Sequence, residues 1–288
     1  MSATADLSRV PRSPRSRVDE RWSPAQRYRR SLWLLTTRDL KVRYSTSALG
    51  WLWSVLDPLL MAAIYWFVFT QVFQRGSVGD RPYIVFLLLG LLPWTWFSAA
   101  ISDCTKAFTR DAKLIRSTTI PRSIWVARIV LSKGIEFLFS IPVLAVFVIG
   151  TQFAATTDER AQVHWELALW PLAILLQAAL TFGIGMIVAP LVVFFRDLER
   201  AVRLILRLAF YASPIIFSLG DLGRIHPLVQ SIAAFNPFAG VITLYRSAFF
   251  PAELDWFAVL MSAVLSVVLV AVGLLVFRRT VPAVLKEI

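Results

Sequence analysis

Residues 167–195 read LALWPLAILLQAALTFGIGMIVAPLVVFF, a run from Leu167 to Phe195 with no Asp, Glu, Lys, Arg or His. About 18 apolar residues let a helix cross a hydrocarbon core about 30 Å thick, so this run predicts a membrane-spanning helix. The pattern repeats on both sides of it. Val55–Phe73, Tyr83–Ile101 and Val130–Thr151 precede the run, and Leu204–Leu219 and Phe257–Phe277 follow it. Hydrophobic side chains make up 57% of the 288 residues and mean hydropathy is +0.66, well beyond what a soluble core requires. The expected fold is all-α and integral to the membrane, with six transmembrane helices.

The net charge of +12 would point to nucleic acid if the basic residues formed one patch. They alternate between loops instead. Lys and Arg number 11 before Val55, 7 from Lys106 to Lys133, 4 from Arg196 to Arg207 and 3 after Phe277, against 5 in the three intervening loops together. Basic loops remain on the cytoplasmic side, which places both termini in the cytoplasm and the loops at 76–81, 154–166 and 221–255 outside. No nucleic-acid partner is expected, although anionic lipid headgroups would attract the same residues by roughly 1 kcal/mol per charge.

Some fifty polar, Arg-rich residues precede the first apolar run, so it is not a cleaved secretory signal. Residues 1–22 hold too few apolar side chains to fold alone and read as a flexible basic tail. Ser23 and Pro24 read as a helix cap and first helical position, opening a helix within residues 23–46. Arg27, Arg30, Arg38 and Lys41 share one arc of it and Tyr28, Leu32, Leu35 and Val42 the opposite arc, which Asp39 interrupts. An amphipathic helix lying at the membrane interface is expected, followed by Trp51 and Trp53 as headgroup-level anchors. Asp57-Pro58 should kink the start of the first span. Residues 47–280 would then form the transmembrane domain and 281–288 a cytoplasmic tail.

The loop from Lys106 to Arg122 carries Lys106, Arg110, Lys113, Arg116 and Arg122 against one acid, Asp111, yet also Leu114, Ile115 and Ile120, until Pro121 stops any helix. A short helix from about Arg110 to Ser117 is expected. Its apolar residues suit either a groove on another protein or the membrane surface. Between the fifth and sixth spans two apolar stretches too short to cross flank Asn236-Pro237, again a cap and first-turn pair. They predict two short outer helices, re-entrant or interfacial.

Arg38-Asp39-Leu40-Lys41-Val42-Arg43-Tyr44, Leu49-Gly50-Trp51-Leu52-Trp53 and Asp57-Pro58-Leu59-Leu60 resemble the opening of the membrane subunit of ABC-2 type polysaccharide exporters, the family that handles O-antigen, teichoic acid, capsule and galactan. Leu114-Ile115-Arg116 with Ile120-Pro121-Arg122 resembles that family's loop between spans two and three. Phe195-Arg196-Asp197-Leu198, Asn236-Pro237 and Tyr245-Arg246 resemble its later markers; Ile120 departs from the aromatic that many relatives carry. The resemblance runs from about Tyr28 to Arg279. It implies a homodimeric permease of the bacterial inner membrane that moves a lipid-linked polysaccharide outward, driven by a cytoplasmic ABC ATPase dimer. It also implies ATPase coupling through Arg110, Asp111, Lys113, Leu114, Ile115, Arg116, Pro121 and Arg122 (coupling loop 104–122), and an outer gate at 222–251 with Asn236, Pro237, Tyr245 and Arg246.

The chain itself contains no Gly-rich Lys-Ser/Thr phosphate loop, so ATP and magnesium belong to the partner subunit. Cys104 is alone, and His164 and His226 lack ligand-spaced partners, so no metal, cofactor or catalytic residue is expected. Aromatic faces suit sugar rings, and the residues proposed for a substrate path are Trp66, Phe69 and Phe73 on the first span with Phe210, Tyr211 and Phe217 on the fifth. Lipid contact or packing would use the same residues. Lys133 and Glu136, three apart, are expected to pair or to face a wet cavity. Two other classes suit a chain of this pattern: a secondary transporter, which would call for internal repeats, and a polyprenyl-lipid enzyme, which would call for clustered carboxylates.

Overall fold

The computed structural model describes residues 23–45, 52–72, 82–153 and 160–287. The tail over 1–22, Trp51, Phe73, the loop at 76–81 and the side chains of Trp66 and Phe69 lie outside the described residues. Regular structure is helical throughout: α1 (Pro24–Ser45), α2 (Trp53–Trp66), α3 (Tyr83–Cys104), α4 (Ala112–Ser117), α5 (Ile124–Thr151), α6 (Trp170–Phe194), α7 (Leu198–Ala212), α8 (Leu219–Ile225), α9 (Pro227–Ala234), α10 (Ala239–Ser247) and α11 (Trp256–Glu287).

Among the described residues four segments are long and apolar enough to cross a membrane: Tyr83–Cys104, Ile124–Thr151, Trp165–Phe194 and Trp256–Glu287. They match the expected second, third, fourth and sixth spans. α5 begins six residues before Val130, and α11 runs ten residues past Phe277, so residues 281–287 are helical. The first expected span is α2 followed by π-helical turns over Phe67–Val72. That helix begins at Trp53, ahead of Pro58, which lengthens it beyond what a start at the proline would allow.

The fifth expected span, Leu204–Leu219, is not one helix. α7 stops at Ala212 and Ser213 turns extended (φ −95°, ψ 147°). Pro214 is the cause, because its ring disfavours helix at the preceding residue and it has no amide to continue the ladder. α9 and α10 then meet at a bend of 95°.

The basic loops gather at one end of the bundle, called here the basic end; the chain reaches the far end at Tyr83, Thr151 and Trp256. α3 is hydrophobic on all sides and buried along nearly its whole length, so it forms the central column. Polar side chains fix its neighbours: Trp96 donates to the Val130 carbonyl at 3.1 Å, and fully buried Gln177 donates to the Pro93 carbonyl at 2.8 Å. α6 and α11 pack backbone against backbone, since a Cβ on Gly183 would lie 2.7 Å from the Leu269 carbonyl carbon and one on Gly273 would lie 2.5 Å from the Gly183 oxygen. Gly273→Val is therefore expected to destabilise by about 1–3 kcal/mol or more, read as a lower Tm in detergent. Gly150→Ala, which meets open space within 4 Å, should leave Tm unchanged or raise it.

Candidate functional site

α1 opens as expected, with Ser23 and Gln26 exchanging bonds: the Gln26 amide donates to Ser23 Oγ at 3.3 Å and the Ser23 amide to Gln26 Oε1 at 2.9 Å. Its arc of Tyr28, Leu32 and Leu35 packs onto the protein core, while Trp33, Leu34 and Val42 are the exposed apolar residues. Arg30 and Lys41 are exposed, as is Trp53 at the start of α2. Asp39, which interrupts the apolar arc, lies on the packed side for a reason. Both its oxygens accept from Arg128 Nη1, at 2.7 and 2.6 Å.

Arg128 is almost wholly buried in α5, and its Nη2 bonds Asp111. Arg38 joins the same acids, at 3.1 Å to Asp111 and 3.2 Å to Asp39. A second cluster lies alongside, where Arg43 meets Glu136 (2.5 Å) and Asp103 (3.3 Å), and Lys133 meets Glu136 (3.2 Å) and Asp103 (3.5 Å). Together these pairs clamp α1, the end of α3, the residue ahead of α4, and α5. The expected Lys133–Glu136 pair is present, within a larger network.

That clamp sets how the loop after α3 is displayed. Ile115 is fully buried and Leu114 packs against the core, so the apolar residues expected to reach outward are turned inward. Arg122 closes the loop by donating to the carbonyls of Thr118 (2.9 Å) and Ile120 (3.3 Å). Arg110, Lys113, Arg116 and Pro121 remain exposed. The surface on offer is basic.

At the far end Arg246, with 0% exposure, organises the chain between α7 and α8. It donates to the carbonyls of Ile215 (2.6 Å), Phe217 (3.1 Å) and Phe86 (3.4 Å), lies 3.5 Å from the Phe86 ring centroid, and has Glu253 at 3.9 Å. Glu253 accepts from Ser218 at 2.8 Å. Tyr245 is equally buried, between Phe137 and Trp170, whose indole donates to the Tyr245 carbonyl. Asn236 does not cap a helix, because α10 begins only at Ala239. Its Oδ1 instead accepts from the Phe238 amide at 2.9 Å, while its Nδ2 donates to the Ala212 carbonyl (3.2 Å) and Ser213 Oγ (3.0 Å), tying the end of α7 to the bend that contains Pro237.

An apolar groove of about 840 Å³ lies between these parts, lined by Trp94, Phe97, Ile205, Tyr211, Phe217 and Phe238 among others. Tyr211 is 71% exposed and stacks edge-on with Phe210, which in turn meets Trp94 at 5.8 Å. Of the three aromatics expected on the fifth span, Tyr211 and Phe217 line the groove, while Phe210 packs against Trp94 and Tyr211. Among the described residues no group of three or more His, Cys, Asp or Glu could hold a metal ion.

Comparison with known proteins agrees with this architecture. The ABC-2 type transporter family matches residues 30–250, and the chain belongs to that family. It is 36% identical over 246 residues to an O-antigen export system permease protein of Klebsiella pneumoniae, covering 85% of this chain and 90% of that one. The corresponding permease of Myxococcus xanthus is 31% identical (84% and 89% covered), and a polysialic acid transport protein of Escherichia coli is 24% identical (88% and 94%). The chain is a multi-pass membrane protein of the transporter class.

Arg128 was invisible as a site residue in the sequence, where it counted only toward loop charge. The signal was Asp39 on an otherwise apolar arc, since a buried acid demands a cation. Asp39 and Asp111 are partly open to solvent and keep Arg38, so Arg128→Gln, which removes charge-assisted hydrogen bonds to both, is expected to cost about 1.5–3 kcal/mol. A double-mutant cycle with Asp39→Asn, read by thermal denaturation, should give a coupling of about 0.5–3 kcal/mol; additive effects would mean that the two side chains act independently.

Proposed function

We propose that the chain is the membrane-spanning channel subunit of an ATP-driven exporter, moving a lipid-linked polysaccharide from the cytoplasmic to the outer face of the bacterial inner membrane. The names of its relatives support the polysaccharide. The observation that carries the reading is the α4 segment, locked to the bundle through Asp111 and Arg128 while Arg110, Lys113 and Arg116 face outward. A helix fixed to its own bundle on one side and open on the other can receive a push from a partner and pass it to the transmembrane helices. The partner is a cytoplasmic ABC ATPase dimer, which binds ATP and magnesium; this chain is its transport subunit and not an enzyme.

In this reading two copies form the channel. Each crosses six times, through α2, α3, α5, α6, α7 continued by the α8–α10 segment, and α11, with both termini cytoplasmic. Trp33, Leu34 and Trp53 meet lipid at the cytoplasmic interface, with Arg30 and Lys41 toward headgroups. Phe210, Tyr211 and Phe217 give the conduit aromatic faces, against which sugar C–H surfaces stack. Asn236, Pro237, Tyr245 and Arg246 hold the outer gate.

Two measurements test this. With a co-expressed ATPase, Lys113→Glu combined with Arg116→Glu should cut glycan export roughly tenfold or more, with Tm unchanged because both residues are exposed. Normal export and normal recovery of the ATPase with the variant would remove α4 as the docking face. For topology, a cysteine at Ala112 in a Cys104→Ala background should resist impermeant reagents added from outside; labelling there would invert the orientation.

A further inference from the structure

α7 carries Arg200, Arg203 and Arg207 at positions i, i+3 and i+7, with Tyr211 one turn further on, so the four side chains form one stripe along the helix. All four are exposed. Arg203 bonds Glu199 at 2.5 Å, and Glu199 also meets Lys106 at 3.4 Å. Arg200 and Arg207 pair with no acid among the described residues. The packed side of α7, through Val202, Leu206 and Ala209, lies elsewhere on the helix.

The depth of this stripe gives it meaning. α7 starts at Leu198, just after α6 ends at the basic end, and Arg207 lies about 14 Å along it. Phe210, one turn beyond, touches Trp94 in the middle of α3, so α7 does not run flat on the membrane surface. An arginine at mid-bundle depth faces water or an anion, because bare hydrocarbon is strongly unfavourable for it. Phospholipid headgroups could serve Arg200 near the basic end; Arg207, two turns further along, reaches them only by snorkelling.

We propose that Arg200, Arg203 and Arg207 bind the phosphate or diphosphate that joins a glycan to its lipid carrier, and that Tyr211 receives the adjoining sugar ring. The proposal rests on the export of a lipid-linked polysaccharide. Planar guanidinium forks match phosphate oxygens two at a time, and their spacing of about 4.5–6 Å along the axis lets one anion pass from fork to fork. The exposed face of Tyr211 next in line offers the apolar surface a sugar ring stacks on. The stripe thus forms a graded path from the basic end toward the groove.

The full chain in nanodiscs of neutral lipid provides the test, with native mass spectrometry or tryptophan fluorescence reporting binding. The probes are undecaprenyl diphosphate, undecaprenyl phosphate, uncharged undecaprenol and phosphatidylglycerol. The diphosphate should bind at least roughly tenfold more tightly than undecaprenol or phosphatidylglycerol, and Arg207→Gln or Arg200→Gln should each weaken it by roughly tenfold or more. Arg207→Lys, which retains the charge and the fold, should bind with intermediate affinity. Equal binding of undecaprenol, equal binding of phosphatidylglycerol, or undiminished diphosphate binding by the Gln variants would each overturn the site. Normal glycan export alongside undiminished binding in the variants would reject the arginine path alone. Tight diphosphate binding by a chain that exports no glycan with its ATPase would reject the export reading.

Discussion

A backbone carbonyl left bare within a bilayer costs several kcal/mol, and this chain stops being helical at Ser213, in the interior of the bundle. Arg246 answers that constraint. One guanidinium takes the carbonyls of Ile215 and Phe217 from the broken segment and that of Phe86 from the central column, so it ties both stretches to α10. The charge is tolerable in the core because the Phe86 ring face and Glu253 accompany it. With the break closed in this way, α10 can stand fully buried beside α3 and the 95° bend before it can hold Asn236 against the end of α7.

The two ends of the bundle use charge differently. At the far end a single cation neutralises backbone dipoles inside the core. At the basic end several acids and bases interlock, and they fix α1 and the segment ahead of α4 to the ends of α3 and α5. α4, only six residues long, would not form alone, since a helix that short does not offset the cost of nucleation. Ile115 in the core and Asp111 beneath Arg128 hold it in place.

What the sequence made legible follows from the physics of each segment. Long apolar runs produced α3, α5, α6 and α11, and Ser23 and Pro24 marked the start of α1. The fifth span was misread because hydropathy over Leu204–Leu219 is continuous, whereas helix continuity is governed by Pro214. The end of α11 was hidden by Arg278 and Arg279, which resemble a terminus although Val284 beyond them is fully buried. Residue roles were harder to see. Ile115 looked like a docking residue from its place in a charged loop, and only packing reveals that it faces inward. Asp39 and Arg128 are 89 positions apart, and no local pattern connects them.

The backbone contact between Gly183 and Gly273 also makes α11 a lever of unequal arms. From Gly273 the helix extends about 6 Å to Phe277, whose ring meets Phe108 at the basic end, and about 25 Å in the other direction to Trp256. About 17 Å along the long arm, Ser262 accepts the amide of Gly240 at 3.0 Å, joining the lever to α10. A tilt about that fulcrum would multiply displacement a little under threefold between Phe277 and Ser262, so a shift of about an ångström beneath Phe108 would correspond to nearly three at α10.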